Sequence, residues 1–367
     1  MMSKSAIARL NDFGQSPWYD NLARPLLTGG GLQQLVDDDG IRGVTSNPTI
    51  LDKAIGAGDG YDDALADCAR RGLSIEDTYW EVVLADIVAA ADLLRPVYDA
   101  QGGGDGFVSV EVAPTLAHDT DGTIAAARSL FARVDRPNVM IKIPGTLEGL
   151  PAIEESIAAG INVNVTLIFS LDRHDKVIDA YLAGLERFAA GGGDPSSVAS
   201  VASFFVSRVD TETDRRLPEG SPLRGKAAVA NAKLANALFR ARFSGNRWEG
   251  LAAKGARLQR PLWASTSTKN PAYSSTLYVD ELIGRDTVNT LAPASIESLH
   301  DGEGQQRADT VSAALPAALQ VMSDLGAAGV DFDDVTATLE REGVDSFSAS
   351  FSDALGTIEK RRSELTS

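Results

Sequence analysis

Eight short apolar runs of β-type residues recur along the chain, and helix-patterned segments separate most of them. The runs cover residues 16–22, 41–45, 107–112, 139–146, 161–168, 198–206, 261–264 and 287–291. Continuous apolar runs bounded by turn residues are what strands buried on both faces of a parallel sheet look like. Parallel neighbours need a crossover, usually helical, so this alternation predicts an α/β chain. Eight such units predict a (β/α)8 TIM barrel, with a nine-layer open sheet as the alternative. An extra helical insertion follows strand two. Ser74 is placed to cap a helix in which Trp80, Val83, Leu84, Ile87, Val88 and Ala91 keep helical spacing up to Gly102. Ser221 and Pro222 read as the start of another helix, residues 271–283 as holding one, and residues from 305 onward as a helical tail. No linker or internal repeat breaks the pattern, so residues 1–367 are expected to form one barrel domain with helical additions.

Composition narrows the function. A net charge of −17 argues against tracking nucleic acid or an anionic membrane. No run of about 18 apolar residues is present to cross a bilayer. The single cysteine, Cys68, precludes an internal disulfide, and no apolar signal core follows the first residues; both point to the cytoplasm. His118, His174 and His300 share no ligand spacing, so neither metal nor cofactor is expected. Nucleotide-binding, nucleophile-elbow and zinc-protease motifs are all missing.

One stretch stands apart: Val139-Met140-Ile141-Lys142-Ile143-Pro144-Gly145-Thr146 carries a lysine inside an apolar strand. Lysine is almost never fully buried unless paired. It either pairs with a carboxylate and snorkels, or serves as an amine that attacks a carbonyl to form a Schiff base. In a barrel the C-terminal ends of the strands converge on one mouth. Those ends offer Asp20, Asn47, Glu111, Lys142, Asn164, Thr166, Ser203, Arg208 and Ser265. Each alone can cap a helix, hold a turn or pair a charge. Together they supply an imine amine, an acid/base (Glu111) with a water held by Thr166, and a second base (Asp20) for breaking a neighbouring carbon–carbon bond. They add neutral hydrogen-bonding groups for a polyol in Asn47 and Asn164, and a phosphate grip in Arg208 with Ser203 and Ser265.

Gly43-Val44-Thr45-Ser46-Asn47-Pro48-Thr49-Ile50-Leu51 and Ile141-Lys142-Ile143-Pro144-Gly145-Thr146 resemble the two most specific transaldolase motifs. Asn162-Val163-Asn164-Val165-Thr166-Leu167 and Ala264-Ser265-Thr266 resemble further segments of that family, in the expected order. The resemblance implies a cytosolic class I aldolase-type barrel that uses no metal and acts on sugar phosphates, as monomer or homodimer. It makes Lys142 the imine lysine, Glu111 the acid/base, Asp20 the cleavage base, and Asn47, Asn164 and Thr166 the groups that orient substrate and water. Ser203, Arg208 and Ser265 would bind phosphate. Many transaldolases carry an arginine two residues after the serine matching Ser265; Ser267 stands there, and Lys269 of the same loop is the candidate replacement. The chain length and that loop point to the longer bacterial-type subgroup. Related fructose-6-phosphate aldolases have glutamine at the Glu111 position and a tyrosine on strand six, where Phe205 is the nearby residue here. An aldolase that releases dihydroxyacetone, and a non-catalytic sugar-phosphate-binding barrel, are the alternatives.

Overall fold

In the computed structural model, which describes residues 4–58 and 60–366, eight parallel strands close into a barrel in sequence order. They are β1 (Gln15–Tyr19), β2 (Gly43–Val44), β3 (Phe107–Glu111), β4 (Val139–Pro144), β5 (Val163–Ile168), β6 (Ser200–Phe205), β7 (Gln259–Ala264) and β8 (Thr287–Leu291). Closure removes the exposed edges an open sheet would leave. The (β/α)8 expectation holds.

Register decides which side chains meet at the mouth. Glu111 lies opposite Lys142 across β3 and β4, and Lys142 lies opposite Asn164 across β4 and β5. One row thus brings an acid, an amine and an amide side by side. β2 is short, yet its hydrogen bonding continues at both ends, from Arg42 N to Pro17 O and from Thr45 N to Tyr19 O. Gly43 is required there, because a Cβ would stand 2.4 Å from the Trp18 indole.

The helical insertion contains helices Pro48–Gly56, Asp62–Arg70 and Ile75–Ala100. Ser74 caps the longest by accepting from Asp77 N. The tail contains helices Pro293–His300, Leu315–Ala327 and Phe332–Thr366. The last packs on the insertion helices and crosses to β5 at the mouth.

One helix boundary differs from the sequence reading. Ser221 caps a turn, its Oγ accepting from Leu223 N, and the helix starts only at Ala227. Gly225, at φ 71°, breaks the path, and Asp210 and Asp214 take the backbone N–H groups of Ala228 and Gly225. Residues 271–283 do hold a helix, Leu277–Glu281; before it, Asn270 folds back to accept from Ala272 N and keeps its neighbourhood in a turn. A helix that apolar periodicity does not show, Ser207–Arg216, follows β6 directly.

The floor of the barrel is a polar layer. Asp105 accepts from Ser16 Oγ and, at 2.8 Å, from Trp18 Nε1, and pairs with Arg260 at 3.3 Å. Beside it, Gln15 donates to Leu282 O and Thr287 Oγ1, and Gln259 donates to Ser200 Oγ.

Candidate active site

A cavity of about 320 Å³ occupies the mouth. Nine of the eleven residues singled out from the sequence line it: Asp20, Asn47, Lys142, Thr166, Ser203, Phe205, Arg208, Ser265 and Lys269. Glu111 and Asn164 do not. Glu111 stands behind the amine, its Oε2 3.2 Å from Lys142 Nζ. Asn164 lies beneath the cavity floor, fully buried, accepting from Ser203 Oγ at 2.7 Å and donating to Ser109 Oγ at 3.0 Å. Both ends of its amide, and the Ser203 hydrogen, are therefore engaged inside the protein.

Lys142 is buried, and its remaining contacts are the Ser46 carbonyl, 3.3 Å away, and the Phe347 ring, 5.5 Å away. Burial pushes the Glu111 carboxyl above the usual carboxylate range; the Lys142 charge opposes that shift and Asp20 adds to it. Asp20 is also raised by burial, while a 2.6 Å hydrogen bond from Thr45 Oγ1 and the charges of Lys142, Lys269 and Arg208 pull it back. Two carboxyls near one amine, both raised above their ordinary range by burial, are suited to exchanging protons with groups bound beside them.

Thr166 sits at a register shift in β5, between Val165 and Ile168, with Leu167 at φ 59°. Such irregularities re-aim side chains at active sites. Its Oγ1 is buried without a hydrogen-bond partner among the described residues, so it is free for substrate or water. Asn47 caps helix Pro48–Gly56 by accepting from Ile50 N, which leaves its amide donors available. Ser265 takes a left-handed backbone (φ 56°), held by a 2.8 Å contact between its Oγ and Ser207 Oγ.

Arg208 lies against the rings of Phe205 and Phe347, 5.3 and 5.9 Å from their centroids. Burial lowers it from the usual guanidinium range, with Asp20 and Glu342 opposing. Among the described residues Arg208, Lys269 and Lys53 make no ion pair, although all three line the cavity. Four cations thus face the single carboxylate Asp20 in a strongly acidic chain. Such a lining selects an anion.

Lys53, Thr45 and Phe347 are absent from the residues singled out in the sequence. Lys53 was findable, because it follows cavity-lining Thr49 by four residues on one helix. A larger cavity, about 690 Å³, lies outside the barrel beside helix Leu171–Ala190 and the C-terminal helix, and its lining has no lysine. No group of three His, Cys, Asp or Glu side chains among the described residues is arranged to hold a metal.

The sequence model of the Transaldolase/Fructose-6-phosphate aldolase family matches residues 17–358. The chain belongs to the transaldolase/fructose-6-phosphate aldolase family. It is 50% identical over 364 residues to a transaldolase of Saccharopolyspora erythraea, covering 98% of this chain and 99% of that one. It is 50% identical over 357 residues to transaldolase 1 of Streptomyces avermitilis, covering 96% and 94%, and equally identical to a transaldolase of Frankia alni, covering 96% of each.

Proposed function

We propose that the chain is a transaldolase. It moves a dihydroxyacetone unit from a ketose phosphate, such as sedoheptulose 7-phosphate or fructose 6-phosphate, to an aldose phosphate, such as glyceraldehyde 3-phosphate or erythrose 4-phosphate. This is chemistry of the non-oxidative pentose phosphate pathway, carried out in the cytoplasm. The observation that carries the reading is the buried Lys142 amine facing both Glu111 and the cavity.

The Lys142 amine adds to the C2 carbonyl and gives a carbinolamine. Glu111 protonates its hydroxyl, directly or through a water on Thr166, and water leaves as the iminium forms. Asp20 takes the proton of the C4 hydroxyl. The C3–C4 electron pair then flows into the iminium, leaving an enamine on Lys142 and freeing an aldose. An incoming aldose reverses those steps, and water hydrolyses the final imine. Asn47 holds hydroxyls of the sugar, with Asn164 bracing the row from below. Arg208, Lys269 and Ser265 are the phosphate end; Ser203, its hydrogen committed to Asn164, shapes the wall beside them.

Release of free dihydroxyacetone requires protonation of the enamine. The Phe205 ring, against Arg208, has no hydroxyl to donate, which favours transfer. The test is borohydride reduction with fructose 6-phosphate, followed by peptide mass analysis. The expected result is the mass of a reduced dihydroxyacetone unit on the peptide containing Lys142, and none on Lys142→Met. A label elsewhere, or none, overturns the reading. Product formation that depends on erythrose 4-phosphate separates transfer from simple release.

A further inference from the structure

The loop after β7 carries Lys269, and the helix Ser207–Arg216 after β6 carries Arg208. Three hydrogen-bond clips hold the first onto the second. At the helix start, Ser207 Oγ meets Ser265 Oγ at 2.8 Å, and Ser207 N donates to Ser265 O at 3.0 Å. One turn on, Asp210 accepts from Tyr278 OH at 2.8 Å. At the far end, Asp214 accepts a short hydrogen bond from Tyr273 OH. Positions 207, 210 and 214 fall on one face of a helix, and Asp210 and Asp214 are buried.

Lys269 sits between the first and last clips. The segment joining it to Tyr273 is a tight turn, with Tyr273 N donating to Asn270 O and Ala272 N to Asn270 Oδ1. The Tyr273 ring lies so close to Gly225 that a Cβ there would approach within 2.7 Å, and Gly225 N in turn donates to Asp214. The phenol is therefore fixed at its hydroxyl and along its ring. Lys269 itself is exposed and makes no ion pair among the described residues. Nothing but its loop fixes where its charge stands relative to Arg208.

We propose that Tyr273 is a positioning residue: by clipping the Lys269 loop to the Arg208 helix through Asp214, it sets the spacing of the two cations that grip the substrate phosphate. The inference rests on the transaldolase reading of the mouth. Two cations bind a phosphate well only at a spacing its oxygens can bridge. Release of the far clip lets Lys269 wander while Lys142, Glu111 and Asp20 stay in place.

The experiment is Tyr273→Phe, which removes only the hydroxyl, alone and combined with Lys269→Ala. The single variant should raise KM for fructose 6-phosphate and Ki for inorganic phosphate together, about five- to tenfold, with kcat near that of the parent. Borohydride trapping with unphosphorylated dihydroxyacetone should be unchanged. In the Lys269→Ala background the second substitution should add nothing. Independent, multiplying effects in the double variant, or an equal loss with dihydroxyacetone, would overturn the proposal and make Tyr273 a purely structural residue. Failure of the parent enzyme to trap dihydroxyacetone at all would instead remove the reading of the site on which the proposal stands.

Discussion

The two ends of the barrel are both polar, both buried, and built on opposite terms. At the floor, Asp105 is surrounded by donors from Ser16, Trp18 and Arg260, and the neighbouring glutamines reach strand and loop acceptors. At the mouth, Thr166 Oγ1 and Glu111 Oε1 have no hydrogen-bond partner among the described residues, and Arg208 lies against two aromatic rings and makes no ion pair there. A buried polar group without a partner costs stability, commonly about 1–3 kcal/mol. At the floor the Asp105 charge escapes that cost, although the Gln15 and Gln259 side-chain oxygens have no partner among the described residues; at the mouth the cost falls on the groups around the amine. Polar groups that are already satisfied hold strands together; groups left wanting are the ones a substrate can satisfy.

Changes at the two ends should therefore fail differently. The largest effect is expected from Asp20→Asn, which removes the proposed cleavage base from the mouth. Turnover should fall about 10²–10⁴-fold, while borohydride still traps the donor on Lys142 and the melting temperature barely moves. Loss of trapping along with turnover would mean that Asp20 acts earlier or supports the fold. Asp105→Ala at the floor should do the reverse. It strands Arg260 without its partner and should cost about 3–5 kcal/mol in urea unfolding. The kcat of the molecules that remain folded should match the parent. A large fall in kcat would show that the floor and mouth are coupled, and the contrast would fail.

The smallest change expected is Thr45→Val. Thr45 stabilises the ionised form of Asp20 with its 2.6 Å hydrogen bond. Loss of that donor raises the Asp20 pKa further, so the base form appears only at higher pH and the acid limb of the kcat profile moves up. At pH 8 the loss of kcat should stay within about tenfold. An unmoved limb would show that another group controls it.

The barrel and most of its mouth are legible in the sequence because the strand period is strict and strand ends converge by topology. Lys142 between Ile141 and Ile143 announces itself by being the wrong residue for its surroundings. What escapes depends on details that strand pattern does not encode. Asn164 faces inward as expected, but its depth along β5 puts it below the cavity, saturated by Ser109 and Ser203. Helix Ser207–Arg216 is invisible to apolar periodicity because its inward face is made of Ser207, Asp210 and Asp214, which bind loops instead of packing on a core. Phe347 comes from a tail helix, where nothing local marks it among ordinary core aromatics.

That helix, Phe332–Thr366, gives the enzyme a chronology. Chains emerge from the ribosome amino end first, and early segments can begin to fold before late ones exist. Lys142 and Arg208 are translated well before the Phe347 ring that covers them, as are Glu111 and Asp20, and Thr49 waits just as long for its hydroxyl partner, Ser350. A growing chain can therefore own its whole reactive constellation while the amine still lies open to water and to any passing aldehyde. The shelter arrives only with this helix, so competence for selective chemistry comes later than the reactive groups themselves.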